Sequence, residues 1–127
     1  MNKRVISPHV QIYKFPAAAL SSITTRLTGL YLSGLFLGVG IAKAAHQDDK
    51  LQKRYEMLNK PIQIAFHYSL LFPVIYHTMG GMRHFLWDRF PSLLLTNTKV
   101  ARSSYLLFAV SSASTVIVEK YINKERK

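Results

Sequence analysis

Residues 71–88 read LFPVIYHTMGGMRHFLWD, and they decide how the rest of the chain is interpreted. They overlap a longer apolar segment, because none of the 22 residues from 61 to 82 has a formally charged side chain at neutral pH. A helix needs about 20 such residues to cross the hydrocarbon core of a membrane. The segment therefore predicts a membrane span with His77 in its interior. An ionisable ring at that depth is unfavourable unless something binds it, so His77 is a candidate functional residue.

His84 shares a helix face with His77. The two residues are seven positions apart, which on a helix is a rotation of only about 20°. A histidine on an apolar face is either a hydrogen-bonded structural residue or a metal ligand, and spacing alone leaves both interpretations open. His67 precedes His77 by ten residues and points well to the side, so we interpret it as structural.

The composition indicates an integral membrane protein. The chain has 127 residues, 49% of them hydrophobic, and contains three long runs that are apolar on all sides. The outer faces of a soluble helical protein would instead carry charged residues at every turn. We predict one domain over residues 1–127 with an all-α membrane fold. It consists of an N-terminal surface arm (about 1–20) and three transmembrane helices at about 21–45, 61–83 and 103–119. Residues 46–60 are strongly polar and predict a loop with a short surface helix.

The net charge of +11 restricts the class of partner. Lys and Arg are spread over the termini and connections, and no basic helix face is interleaved with aromatic residues, which argues against nucleic acid. Anionic lipids such as cardiolipin, and acidic faces of partner subunits, fit this distribution better.

The chain has no cysteine, so it cannot build a disulfide, a thiolate zinc site or an iron–sulfur cluster by itself.

A second candidate site lies at the start of the first predicted span, in the hydroxyl-rich sequence SSITTRLTG at residues 21–29. Ser22 and Arg26 are four residues apart and therefore share a helix face. A hydroxyl and a guanidinium then lie together near the membrane boundary. An arginine at this depth can also simply extend its charged end to the interface, and spacing alone does not decide between the two interpretations.

The stretch at 71–88 resembles the second transmembrane helix of the cytochrome b (large membrane-anchor) subunit of succinate:quinone oxidoreductase, respiratory complex II. In that family a histidine is followed by a glycine, an aliphatic residue, Arg-His and an aspartate. The matching residues here are His77, Gly81, Met82, Arg83, His84 and Asp88. The N-terminal Ser7-Pro8-His9 and Ile12-Tyr13 are similar to the start of the same family.

The region at 21–29 resembles the family motif Ser-x-x-His-Arg-x-Thr/Ser-Gly. Ser22, Arg26, Thr28 and Gly29 match it, whereas Thr25 stands in place of the motif histidine. In relatives that histidine lies near the haem propionates. The resemblance implies that Ser22 and Arg26 help to form the site of ubiquinone reduction, with Ile23 and Phe15 as its apolar walls.

The resemblance also implies a b-type haem with His77 as an axial ligand, and with Arg83, His84 and Thr25 around it. The two axial ligands of a haem lie on opposite faces of the ring, so one helix cannot supply both. The other two predicted spans contain no histidine, so we expect the second ligand from another polypeptide. In the family this is a smaller anchor subunit that shares the haem.

The expected activity is electron transfer to quinone, as one subunit of succinate dehydrogenase. The chain has neither a dinucleotide fingerprint nor cysteines, so succinate oxidation would belong to the flavoprotein and iron–sulfur subunits that it docks. By resemblance the complex lies in the mitochondrial inner membrane or, as the alternative, in a bacterial cytoplasmic membrane.

Three other interpretations stay open. The same architecture can serve a quinol:fumarate reductase, and Thr25 is a hint of a purely structural anchor without haem. A channel or carrier is disfavoured because the matched residues cluster at two sites.

The orientation in the membrane is not decided by charge, because Lys and Arg number eight on the side of the N-terminus and nine on the other. The resemblance places the N-terminus on the matrix or cytoplasmic side.

Overall fold

The computed structural model describes residues 14–125. Every regular element in this part of the chain is a helix, which confirms the predicted all-α class. In chain order the helices are α1 Ala17–Ala44, α2 Asp48–Glu56, α3 Lys60–Arg89, α4 Pro91–Leu94 and α5 Asn97–Glu125. The last four residues of the predicted arm are thus helical, and the matches at residues 7–13 lie outside the described residues.

The two ends of α1 follow from backbone chemistry. Pro16 precedes the helix in an extended conformation, with φ −73° and ψ 149°. At the other end His46 has a φ of 53°, the left-handed conformation in which many helices terminate. The N–H of His46 donates to the carbonyl of Lys43 at 3.0 Å, and that of Gln47 donates to Ala42 at 2.9 Å. These bonds satisfy the last carbonyls of α1 and end the helix.

The short helix predicted between the first two spans is confirmed as α2. Two acidic residues, Asp48 and Asp49, occupy its first turn, and two basic residues, Lys53 and Arg54, occupy its last turn. Each pair lies at the end of the helix dipole that favours its charge. None of the residues of α2 is buried, so it is a surface helix.

The stretch at 71–88 lies in the second half of α3. This helix has 30 residues and carries Pro61 in its first turn, where the missing N–H would have no partner within the helix. It continues through Pro73 without interruption. Pro91 and Asn97 predict an irregular connection at residues 89–100, but α4 and the first residues of α5 occupy most of it. The apolar pattern found the apolar part of α5 but not its polar first turns.

The three long helices contact one another, and the order of the residues that pair across them shows that α3 runs antiparallel to both of its neighbours. Hydrogen bonds connect α3 to the other two near both of its ends. The pairs are Ser69 with Tyr31 and His67 with Glu119 near its start, and Tyr76 with Ser21, Arg83 with Ser21 and Arg83 with Ser104 toward its end.

Most of the buried side chains are polar, and many large apolar side chains face outward. The buried polar residues in the described part are Ser21, Thr28, Arg83, Ser104, Ser111, Thr115 and Glu119, against only Leu32, Tyr76 and Leu107 among the large apolar residues. Several of the hydroxyls bond to carbonyls one turn earlier on their own helix, as at Thr115 and Ser104. Outward-facing residues such as Leu30 and Phe85 are more than 70% exposed. A surface of this kind requires lipid or protein partners to cover it.

Two of the described helices, α1 and α5, are long and apolar enough to cross a membrane. α3 is not among them, although three spans were predicted. Its length suffices, but residues such as Gln63, His67 and His77 lower the mean hydropathy of its uncharged segment.

Candidate functional site

The His77 ring lies on the outer side of α3 and is held by the backbone of α1. Its Nδ1 is 2.9 Å from the carbonyl oxygen of Thr25. A carbonyl oxygen can only accept, so Nδ1 carries the proton and donates it to this bond. Nε2 of the neutral ring then has the free lone pair. A backbone carbonyl on one ring nitrogen is the usual way in which proteins orient a histidine that binds a metal through the other.

Gly29 makes room for this arrangement. A Cβ at position 29 would lie 2.6 Å from Cε1 and 3.0 Å from Nδ1 of the His77 ring, closer than carbon atoms pack. The ring therefore lies directly against the backbone of α1. Any side chain at position 29 would displace the ring or separate the two helices.

The two adjacent glycines of α3 have different environments. A Cβ at Gly80 would lie 2.9 Å from Oγ1 of Thr25, so Gly80 allows α1 and α3 to approach closely. A Cβ at Gly81 would meet nothing within 4 Å. Of the two, only Gly81 borders open space on the outside of α3, one turn after His77.

His84 is exposed, and its ring lies nearly perpendicular to the ring of Trp87 at a centroid distance of 5.0 Å. Its sequence position puts it on the same side of α3 as His77. Within residues 14–125 no group of three or more His, Cys, Asp or Glu side chains could hold a metal ion. His77 could therefore bind a metal only together with ligands from outside this part of the chain.

Arg83 points into the space between the three long helices, away from the side of His77 and His84. It is only 8% exposed. One terminal nitrogen donates to Oγ of Ser21 at 2.9 Å and the other to Oγ of Ser104 at 3.0 Å. Its guanidinium carbon lies 4.4 Å from the centre of the Trp87 ring, and its Nε has no hydrogen-bond partner in the described part of the chain. Arg83 thus connects α1, α3 and α5.

Three of the predicted quinone residues, Ser22, Ile23 and Arg26, lie in the first turns of α1, and Phe15 precedes the helix. Arg26, Ile23 and Phe15 are exposed, and Ser22 is half-buried. Arg26 forms no ion pair with any of residues 14–125. The outward positions of Ser22, Ile23 and Arg26 leave a hydroxyl, an apolar side chain and a guanidinium available to a molecule outside this chain.

Sequence reasoning missed the serine that α3 holds, which is Ser21 and not Ser22. Ser21 is fully buried and accepts hydrogen bonds from Tyr76 and Arg83. A signal was present, because Ser21, Thr25, Thr28 and Leu32 recur at helical spacing and form the inward stripe of α1.

A separate polar cluster lies at the opposite end of the long helices. Glu119 is 2% exposed, and both of its oxygens lie 3.0–3.1 Å from Nδ1 of His67. Nε2 of His67 lies 2.6 Å from the hydroxyl of Tyr55 on α2, and Asn123 donates to Glu119 at 2.8 Å. The interpretation of His67 as a structural residue agrees with this network. The apolar pattern gives no sign of this cluster, because Glu119 stands at the end of the third apolar run.

Comparison with known proteins adds independent information. A family described as "Succinate dehydrogenase/Fumarate reductase transmembrane subunit" matches residues 1–118. The chain belongs to this family.

Its curated relatives include mitochondrial and bacterial proteins. The chain is 34% identical over 119 residues to the succinate dehydrogenase cytochrome b560 subunit of Dictyostelium discoideum, covering 87% of this chain and 58% of that protein. The mouse b560 subunit is 28% identical over 116 residues, with coverage of 88% and 69%. The cytochrome b556 subunit of Rickettsia prowazekii is 35% identical over 92 residues, with coverage of 68% of each protein. The chain thus spans between about half and two thirds of the length of these relatives.

Proposed function

We propose that this chain is the cytochrome b membrane anchor of a succinate:quinone oxidoreductase and that α1, α3 and α5 all cross the membrane. Family membership supports the assignment, as does the apolar outer surface of the three helices. In this role the chain docks a flavoprotein subunit and an iron–sulfur subunit and packs beside a smaller anchor subunit. The complex lies in the mitochondrial inner membrane or a bacterial cytoplasmic membrane, where anionic lipids such as cardiolipin surround the basic flanks.

The observation that carries the proposal is the hydrogen bond between His77 and the carbonyl of Thr25. It fixes an exposed ring through Nδ1 and leaves the lone pair of Nε2 available to a metal ion. Gly81 leaves open space beside this ring, and His84 lies on the same side. These residues fit a flat b-type haem on the outside of α3. When bound, the haem would supply one-electron redox chemistry, and the smaller anchor subunit would share in holding it.

The residues expected around the haem would act through different groups. Thr25, which replaces the motif histidine, acts through its backbone carbonyl, while its hydroxyl bonds to the carbonyl of Ser21. His84 is free to contact the edge of the haem. Arg83 was expected near the haem, but its terminal nitrogens bind hydroxyls between the helices, so the proposal does not include it.

The outer side of the first turns of α1 is proposed to bind ubiquinone. Ser22 and Arg26 donate hydrogen bonds to a quinone carbonyl oxygen, while Ile23 and Phe15 cover the ring. As the quinone is reduced, negative charge develops on this oxygen, and a guanidinium already in place stabilises it without reorganisation. The family description also names fumarate reductase, and the same site can oxidise a quinol when the reaction runs in reverse.

One experiment on the assembled complex tests both sites. We expect His77→Ala to abolish the low-spin b-type spectrum in reduced-minus-oxidised difference spectra, whereas His84→Ala should perturb it only mildly. Arg26→Ala should lower succinate:quinone activity by about a hundred- to thousandfold and leave succinate oxidation by an artificial dye intact. Arg26→Lys should restore only part of the activity, since an ammonium lacks the planar guanidinium.

The outcomes separate the proposal from its alternatives. An unchanged low-spin spectrum in His77→Ala removes His77 as a ligand. Absence of haem from the unmodified complex supports a purely structural anchor. If Arg26→Ala lowers the quinone and dye activities equally, Arg26 serves assembly and the proposed quinone site is wrong.

A further inference from the structure

Ser21 is the point at which α3 holds the start of α1. Its Oγ accepts hydrogen bonds from the Tyr76 hydroxyl at 3.2 Å and from a terminal nitrogen of Arg83 at 2.9 Å. The Tyr76 hydroxyl also lies 3.3 Å from the backbone carbonyl of Ser21. All three residues are buried, and Tyr76 and Ser21 are fully so. These bonds therefore form where water does not compete for the donors.

Few interactions within α1 itself stabilise its first turn. Pro16 provides no side-chain cap, and the first turn contains no acidic residue. The first turn of a helix frays unless its free N–H groups are satisfied or its side chains are packed. The contacts with Tyr76 and Arg83 thus supply order that α1 does not supply itself.

Ser22 is the next residue, and a one-residue step on a helix is a rotation of about 100°. When Ser21 is held inward, Ser22 and Arg26 are therefore held at the outer side of α1. A small rotation or fraying of these turns would move both groups away from a common acceptor.

We propose that Tyr76 and Arg83 are positioning residues for quinone reduction, acting through Ser21 to fix the direction in which Ser22 and Arg26 point. The inference rests on the quinone role proposed above for Ser22 and Arg26. Neither Tyr76 nor Arg83 reaches the outer side of α1, so neither touches the quinone. Their effect is on geometry, and hydrogen-bond donors stabilise a developing charge only when they are already aimed at it.

Arg83 suits this task because its guanidinium connects two helices to α3 at once. The other terminal nitrogen donates to Ser104 of α5, whose own hydroxyl bonds to the carbonyl of Val100. A planar guanidinium holds both serines at a fixed separation, which a flexible ammonium cannot do. No acidic side chain among residues 14–125 pairs with it, so its interior contacts are the two hydroxyls and the Trp87 ring.

The test uses the assembled complex with the variants Ser21→Ala, Tyr76→Phe, Ser22→Ala and Arg26→Ala, and the double variant Ser21→Ala/Ser22→Ala. Ser111→Ala is the matched control, since Ser111 is equally buried but lies on α5 and bonds to Met79, not to Tyr76 or Arg83. The readouts are kcat and KM for quinone, succinate oxidation by a dye, and the haem spectrum.

We expect Ser21→Ala and Tyr76→Phe each to lower kcat/KM for quinone by about two- to tenfold, the equivalent of one hydrogen bond. Dye activity and haem content should match the Ser111→Ala control. The loss in the double variant should be smaller than the product of the two single losses, because Ser21 acts through Ser22. A purely structural role would instead lower both activities and the haem content together.

Three results would overturn the inference. One is a Ser21→Ala enzyme that behaves like the Ser111→Ala control while Ser22→Ala impairs quinone reduction, which leaves the proposed quinone site intact. Another is a double variant whose loss equals the product of the single losses, showing that the two serines act independently. The third is a loss in Ser21→Ala with normal activity in Ser22→Ala and Arg26→Ala, which refutes the quinone role of Ser22 and Arg26 as well.

Discussion

The Thr25 carbonyl and the His77 ring form the contact on which the proposed haem site depends, and Gly29 is the residue that permits it. We predict that Gly29→Ala displaces the ring, because the added Cβ would lie 2.6 Å from its Cε1. Loss of an outer hydrogen bond of this kind lowers metal affinity by about 10- to 100-fold in other proteins. The measurement is haem content and the difference spectrum of the assembled complex.

Gly34→Ala is the matched control for this variant. It makes the same change on the same helix, but a Cβ there would meet nothing within 4 Å. Equal haem content in the two variants would show that the His77 ring does not need its present position.

Single residues also show how far the sequence could predict the site. His77 and Arg26 were identifiable because an ionisable group in an apolar segment stands out in any one-dimensional pattern. Ser21 and Ser22 were not distinguishable in this way, since neighbouring serines differ only in the side of the helix on which they lie. The same holds for Arg83, whose inward direction depends on the positions of Ser21 and Ser104 on two other helices.

At the scale of helices, α2 is attached to the long helices through a chain of side chains, from Tyr55 to His67 to Glu119. We predict that Glu119→Ala destabilises this attachment by about 1–3 kcal/mol, because it removes the bond between Nδ1 of the half-buried His67 and the buried Glu119. Glu119→Gln should be milder, since its amide oxygen can still accept from Nδ1. Hydrogen exchange of residues 48–56 in the assembled complex measures the local opening.

Glu125→Ala is the control for Glu119→Ala, because it removes the same type of side chain from the same helix at an exposed position. Unchanged protection of residues 48–56 in Glu119→Ala would mean that the attachment does not depend on this chain of bonds.

Helix boundaries were harder to predict than helix existence. The three apolar runs were found because they are long, but α5 begins at Asn97 and α3 ends at Arg89, both in polar sequence. A helix continues past its apolar stripe as long as its backbone hydrogen bonds are satisfied. Hydrophobic periodicity therefore does not predict where the polar end of a helix stops.

For the whole molecule, the distribution of polarity explains why hydropathy selects only two of the three long helices. Hydropathy treats every polar side chain as if it faced lipid, whereas in α3 the most polar groups are bonded. His67 bonds to Glu119, His77 to the Thr25 carbonyl, and Tyr76 to Ser21. A polar group with its partners in place loses most of the penalty of burial.

We predict that α3 crosses the membrane, because it runs antiparallel to both α1 and α5 and bonds to them near both of its ends. Three spans place α2 and the end of α5 on one side and α4 on the other. Two spans, with α3 on the surface, would place α2 and α4 on the same side and the end of α5 opposite. The count of basic residues does not choose between them.

The absence of cysteine from the chain makes this prediction directly measurable. Single variants Lys50→Cys, Ser92→Cys and Lys124→Cys put a thiol at exposed positions on α2, α4 and the end of α5. The complex in sealed membrane vesicles is treated with a membrane-impermeant maleimide, and permeabilised vesicles give the total reactive thiol. We expect the first and third positions to react from one side and Ser92→Cys from the other. Reaction of Lys50→Cys and Ser92→Cys from the same side, with Lys124→Cys protected, would show that α3 does not span the membrane.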